Sequence, residues 1–275
     1  MRKKILVPTD FSTNALDAAR YACQIAKQND YAIHLFHCYT TSTATEMENS
    51  SQLKADVLIQ EVKDLLLKDY PTVDIHTECV SRLLIDVLPD YAVQPNFVLV
   101  IMGSAGTGSG NSVFWGSNTS YITSKSKVPV IAIPSANHSF FTNKAAILTN
   151  FKAEEIETLN NFIHQISPIK QLDIIHIYKD NKKAKDIEQQ LTDWIFNIKQ
   201  LSDIESINTI AQPIQHDNEE LDTIPEVINH IVTENEYDII LVTKTRKSFF
   251  ERLITTSVSR PIALTLQKPT FFDNI

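Results

Sequence analysis

The chain has 275 residues, of which 43% are hydrophobic, 21% charged and 8% aromatic, enough apolar material for packed cores and too much for a disordered or fibrous chain. Its length lies where a single core stops growing, so two domains are expected. The formal net charge of −8, from 25 Lys+Arg against 33 Asp+Glu, repels a phosphate backbone and excludes nucleic acid as the main partner.

The chain starts Met1-Arg2-Lys3-Lys4-Ile5-Leu6-Val7-Pro8, and the apolar run ends at Pro8, too early for a signal-peptide core. No other apolar run approaches the ~20 residues that span a bilayer, so no membrane association is expected and the cytoplasm is the expected location. Lys4 to Val7 reads as a first strand ending at Pro8-Thr9-Asp10. Ser12 is placed to cap a helix that carries Leu16, Ala19, Cys23 and Ala26 on one face. Ala32 to His37 reads as a second strand, and His34 and His37, three apart, fall on opposite faces, which argues against a shared metal.

After a polar stretch from Thr40 to Ser51, Leu58, Val62, Leu65 and Leu66 form the inward stripe of a second helix. Val73 to Val80 alternates as a half-exposed edge strand would, and Leu83 to Tyr91 supplies a third helix. The three cysteines, Cys23, Cys38 and Cys79, are an odd number without a C-x-x-C pair and read as buried thiols. Phe97 to Met102 is a continuous apolar run with the length of a strand buried on both faces.

All five glycines then follow in one window, Gly103, Gly106, Gly108, Gly110 and Gly116. Glycine lets a ligand approach the backbone, and here it stands between a buried strand and a helix that Ser117 can cap, followed by a strand over Val128 to Pro134. Strand, glycine loop, helix, strand is the order in which open parallel sheets hold anions at their carboxyl edge. The P-loop pattern fails because Ser109 and Gly110 stand where Lys and Ser/Thr are needed, and the dinucleotide pattern fails because Asn111 stands where its third glycine belongs. From Gly103 to Thr119 there is no charged side chain, so a phosphate would be held by backbone N–H groups, hydroxyls and the helix dipole, with a divalent ion supplying positive charge.

Ile5 to Ser12, His37 at the end of the second strand, Val100-Ile101-Met102-Gly103-Ser104, the run Gly103-x2-Gly106-x9-Gly116-Ser117 and Pro129 to Pro134 together resemble the universal stress protein family, in particular its ATP-binding branch. The resemblance covers the first half and implies an α/β fold with an open parallel five-stranded sheet and helices on both faces, Rossmann-like and similar to the adenine nucleotide alpha hydrolases. It further implies ATP, AMP or ADP, with Mg, across the strand ends. Pro8, Thr9 and Asp10 match the position beside adenine and ribose. Cys38 matches the residue whose backbone meets the adenine edge, and Met102 and Gly103 match the floor under base and ribose. Gly106, Gly116, Ser117 and Asn118, with Thr119 close by, match the phosphate clamp. Ala105 and Val98 depart from the family, which commonly has His or Arg and Asp there.

The second half repeats the first. Thr149-Asn150-Phe151 echoes Thr9-Asp10-Phe11, Asp238 to Thr243 echoes Val98 to Gly103, and Ile175-His176-Ile177-Tyr178 echoes Phe36-His37-Cys38-Tyr39. Two tandem five-stranded domains are therefore expected, over 1–137 and 143–275, joined near Asn137 to Asn143. Pairing Arg260-Pro261-Ile262-Ala263-Leu264 with Val128 to Ala132 leaves 18 residues from Thr243 to Pro261 against 26 from Gly103 to Pro129, and so predicts an eight-residue deletion in the second loop. The second copy has no glycine and is expected to bind no nucleotide, serving instead as an internal partner in a pseudo-dimer. Further homodimerisation and an unidentified protein partner remain open.

Two classes of function are compatible with these residues. One is a nucleotide-binding stress-response or regulatory module, favoured because the loop offers no Lys, Arg or Glu to assist hydrolysis. The other is a slow ATP hydrolase or a nucleotidyl- or phosphoryl-transfer enzyme on the same site, with a scaffold carrying a vestigial site as a third reading. No catalytic residue and no protein metal ligand is assigned.

Overall fold

The computed structural model describes residues 2–40, 45–104, 116–135, 139–179, 184–215, 221–244, 268–273 and 275. The chain divides into two compact units, Met1–Phe140 and Phe141–Ile275. Among the described residues no helix is long and apolar enough to cross a membrane.

The first unit alternates β1 (Lys4–Pro8), α1 (Thr13–Asn29), β2 (Ala32–Tyr39), α2 (Thr45–Asp69), β3 (Ile75–Ser81), α3 (Leu84–Tyr91), β4 (Phe97–Gly103), α4 (Ser117–Lys125) and β5 (Val130–Ile133). Its strands are parallel in the order β3-β2-β1-β4-β5. The chain runs outward from β1 to β3 and then returns to the other side of β1, so the direction of winding reverses between β1 and β4.

Local chemistry fixes the boundaries. Ser12 caps α1 by accepting from the Ala15 N–H at 3.2 Å, and Asp30 ends the helix in the left-handed region at φ 55°. Several boundaries differ from the sequence reading: β2 runs on to Tyr39, β3 covers Ile75–Ser81 and β5 only Val130–Ile133. Gly116, rather than Ser117, is the N-cap of α4, and α2 begins at Thr45, inside the stretch read as a polar linker. The fully buried stripe of α2 is Ala55, Ile59 and Leu66, whereas Leu58, Val62 and Leu65 flank it half-buried.

β1 and the centre of β4 are buried on both faces, as continuous apolar runs require, while β3 is the edge strand. On one face Leu6, Phe36, Val100 and Met102 pack with Leu88 and Ala92 of the α3 region and Ile122 of α4. His34 lies on that face against Tyr91 and Glu78, whereas His37 turns to the other side against Phe11.

The second unit holds β6 (Lys144–Leu148), α5 (Ala153–Gln165), β7 (Gln171–Tyr178), α6 (Ala184–Leu201), β8 (Ser206–Pro213), α7 (Ile224–Glu234), β9 (Ile239–Thr243) and β10 (Thr270–Asp273). Its strands are parallel in the order β10-β9-β6-β7-β8. The duplication extends to single hydrogen bonds. Phe11 and Phe151 share φ values of 63° and 61°, and each donates its N–H to the hydroxyl of the Thr two residues earlier.

The predicted eight-residue deletion is wrong. The strand beside β9 is Thr270–Asp273, with Thr270 opposite Ile240 as Val130 is opposite Val100, and Ile240 donates to the Pro269 carbonyl as Val100 does to Pro129. Pro269 is thus the counterpart of Pro129, and the loops from Gly103 and from Thr243 are equally long. Arg260 to Leu264 resembled the strand because Pro261, like Pro129, is followed by aliphatic residues, and that segment lies outside the described residues.

One substitution separates the two copies at the first turn. Glu155 stands where the first unit has Ala15, and its buried carboxylate accepts from the Thr149 hydroxyl at 2.6 Å and from the N–H groups of Asn150 at 3.0 Å and Lys152 at 3.1 Å. Burial pushes its pKa up, while these donors pull it down. Glu155→Ala strands three donors at once and is expected to cost about 1–3 kcal/mol, read by urea unfolding; an unchanged midpoint would contradict this account of the turn.

Candidate functional site

β1 ends in a turn held by three interactions. Thr9 donates its N–H to the Phe36 carbonyl at 2.9 Å, the Phe11 N–H reaches the Thr9 hydroxyl at 3.1 Å, and the Ser12 N–H reaches Asp10 Oδ1 at 3.0 Å. His37 Nδ1 lies 2.8 Å from the Thr9 carbonyl and must carry the proton, because a carbonyl can only accept. The Phe11 ring packs against His37 with centroids 4.2 Å apart and planes tilted by 37°. Pro8 and Thr9 are buried in this turn and Asp10 is exposed at its crest.

Leu6 pairs with Val100, so the carboxyl ends of β1 and β4 lie at one edge of the sheet. Gly103 closes β4 there, and its lack of a side chain is required. A Cβ at this position would come within 2.5 Å of Asn14 Oδ1 and 3.1 Å of the Asn14 backbone carbon. Asn14 is buried and donates Nδ2 to the Ile133 carbonyl at 3.1 Å, and the Ser104 N–H uses the same carbonyl at 2.8 Å.

α4 enters the same edge. Thr119, buried, donates its hydroxyl to the Gly103 carbonyl at 2.9 Å, and the Gly116 N–H reaches the Ser104 carbonyl at 2.7 Å. Its N-cap is a glycine with no capping side chain, and no acidic residue lies in the first turn, so the positive end of the helix dipole is not neutralised from within. Ser117 and Asn118 are exposed in that turn. Met102 is buried in the apolar cluster next to half-buried Cys38.

The structure therefore brings Pro8, Thr9 and Asp10 to the same edge of the sheet as Met102, Gly103, Gly116, Ser117, Asn118 and Thr119, with Cys38 on the neighbouring strand β2. Gly106 lies outside the described residues, as does Ala105. Sequence reasoning missed Asn14, which looked like an ordinary first-turn residue of α1; only the contact with Gly103 reveals its part in shaping the edge. Among the described residues no group of three His, Cys, Asp or Glu side chains could hold a metal ion.

The corresponding edge of the second unit is different. Thr149 and Asn150 stand where Thr9 and Asp10 do, and Ile177 replaces Cys38. Ile177, Ile175, Ile224 and Ile228 close around a hollow of about 10 Å³, too small for more than a single water.

Residues 1–134 match the family model described as the Universal stress protein family. The first half of the chain belongs to that family. Universal stress protein MJ0531 of Methanocaldococcus jannaschii is 27% identical over 138 residues, covering 48% of this chain and 81% of that protein. The structure of a universal stress protein from Archaeoglobus fulgidus covers 98% of this chain and 98% of its own, with a TM-score of 0.69 at 14% identity. A putative universal stress protein from Pseudomonas aeruginosa covers 99% of this chain and 93% of its own, with a TM-score of 0.64 at 13% identity. At these identities the two structures speak for the fold, an open α/β sheet architecture carried through both halves of this chain.

Two outcomes test the site of the universal stress protein half. Gly103→Ala forces α1 away from β4 and should lower stability by about 1–3 kcal/mol, the usual cost of overpacking; a wild-type melting curve would contradict the close approach. Burial pushes the thiol of Cys38 up to about 11 and those of Cys23 and Cys79 up to about 12, with Asp69 adding to the rise at Cys23, Glu78 at Cys38 and Asp56 at Cys79. The native protein should therefore resist iodoacetamide at pH 7 and label at all three cysteines once denatured, as counted by mass spectrometry; rapid native labelling would show that the thiols are not shielded.

Proposed function

We propose that the first unit binds one adenine nucleotide at the carboxyl edge of β1 and β4, and that the chain works as a nucleotide-sensing regulatory module of the stress response. The observation that carries this reading is the junction of Gly103 with the uncapped N-terminus of α4 through the Thr119–Gly103 hydrogen bond. Side-chain-free backbone and unneutralised N–H groups sit there at the point where the winding of the sheet reverses, the arrangement that suits a phosphate chain.

In this reading Asp10, exposed beside the β1 turn, accepts from ribose hydroxyls, and the backbone of Cys38 meets the edge of the base. Because Cys38 is held as a protonated thiol, its side chain contributes packing rather than chemistry. Met102 and Gly103 form the floor, and Gly106, Gly116, Ser117, Asn118 and Thr119 take the phosphates, with magnesium bound to those phosphates. Family membership of residues 1–134 supports the reading. Binding is favoured over hydrolysis because no charged side chain occurs from Gly103 to Thr119 to polarise a water or stabilise a developing charge.

The second unit is proposed to bind no nucleotide. Its counterpart of the adenine position is filled by isoleucines, and its first turn already contains the Glu155 carboxylate, which repels phosphate.

Small molecules released from the purified protein by denaturation, followed by calorimetric titration with ATP and Mg²⁺, test both halves of the proposal. One nucleotide per chain is expected. Gly116 has an extended backbone at φ −64° and ψ 146°, which valine tolerates, so Gly116→Val should preserve the fold and weaken ATP binding at least tenfold by blocking approach to the helix terminus. Two nucleotides per chain would overturn the silent second unit, and unchanged affinity in the variant would overturn the site.

A further inference from the structure

Both faces of a strand reach the carboxyl edge, and in the second unit they have opposite character. Along β7, Ile175 and Ile177 turn toward α7 and close the small hollow already described, while His176 and Tyr178 turn the other way. On that opposite side an open cavity of about 480 Å³ lies between the end of β7, the turn after β6 and the start of α6. Its size falls within the usual range for small-molecule pockets.

One wall of this cavity is aromatic and held in place, with Ile177 and Ile187 adding aliphatic surface. Phe151 stands 4.5 Å from His176, and the His176 and Tyr178 rings are nearly parallel, 11° apart with centroids at 6.2 Å. Phe151 is fixed by its left-handed backbone and its N–H bond to Thr149, with Trp194 packed edge-on behind it at 6.2 Å. His176 Nδ1 lies 2.9 Å from the Thr149 carbonyl and so carries the ring proton, which leaves Nε2 as a hydrogen-bond acceptor. Burial lowers the pKa of His176, so this neutral tautomer persists at pH 7. Lys179, Asp186 and Gln190 supply a polar rim.

We infer that this cavity is a second ligand site, separate from the nucleotide edge, and that it takes a small planar aromatic molecule carrying an N–H donor. The ring stacks against the Phe151–His176–Tyr178 wall, and the donor is received by His176 Nε2. The phosphate-binding features of the first unit have no part in it: the second half contains no glycine, and Glu155 beneath the same turn disfavours an anion. The site lies wholly in the second unit, so its test is independent of ATP binding by the first.

Indole and 1-methylindole, which differ in the donor, are the probes, titrated into the full-length protein and followed by ¹H–¹³C NMR of the histidine rings. Indole is expected to shift the His176 resonance saturably, and 1-methylindole to bind about fivefold more weakly through loss of one hydrogen bond. Gln190→Trp, at an exposed position of α6, fills the cavity from its rim and should weaken indole binding at least tenfold while leaving thermal unfolding and ATP titration unchanged. Absence of a saturable shift at millimolar indole would overturn the site. Equal affinity of the two probes would overturn the role given to His176, and undiminished binding in Gln190→Trp would place the ligand elsewhere.

Discussion

The carboxyl end of β4 is built around a close approach that only glycine permits. Asn14 of α1 occupies the space where a Cβ of residue 103 would stand, and from there it reaches across to the Ile133 carbonyl of β5. The Gly103 carbonyl in turn receives the Thr119 hydroxyl of α4, and the next carbonyl, that of Ser104, receives the Gly116 N–H. Four elements are thus tied together within two consecutive residues. A buried amide such as that of Asn14 must be hydrogen-bonded, so the contact fixes α1 rather than merely tolerating it. Among the described residues this end of β4 is thus cross-linked to α1, β5 and α4.

The second unit keeps this scaffold and changes its chemistry. Lys244 donates its N–H to the Asp273 carbonyl at 2.8 Å, as Ser104 does to Ile133, yet the side chains at the two positions are now an amine and a carboxylate. Burial lowers the Lys244 amine to about 8, while Asp273 acts in the opposite direction and favours its charged form. Asp273 also accepts from Asn161 at 2.8 Å. Under the first turn Glu155 adds a buried carboxyl that the first unit, with Ala15 at this position, does not have. Buried charges are tolerated only when paired and hydrogen-bonded, a condition that Asp273 meets through Asn161 and Lys244.

Much of this architecture was legible in the sequence because its signals are periodic or conformational. A continuous apolar run marked β4 as a strand buried on both faces, alternation marked β3 as an edge, and Ser12 marked the start of α1. The glycine cluster pointed to the carboxyl edge because glycine occurs nowhere else in the chain. What escaped depended on tertiary contact. Asn14 carries no local signature, and its role exists only because Gly103 faces it. Pro261 is followed by aliphatic Ile262-Ala263-Leu264 as Pro129 is by Val130-Ile131-Ala132, whereas Pro269 precedes Thr270-Phe271-Phe272, and only the register of β10 against β9 identifies the latter as the counterpart. Nothing in the sequence sets Glu155 apart from Glu154 in the same helix turn, and the aromatic wall of Phe151, His176 and Tyr178 combines two segments that are distant in sequence.

Hydrogen–deuterium exchange with and without ATP and Mg²⁺ tests most directly whether one edge of this duplicated scaffold holds the nucleotide. Ligand-induced protection should appear in the segments 8–12 and 116–119, with none in 148–152 or 239–244. Protection in the second unit alone, or none in 116–119 at saturating ATP, would contradict the account.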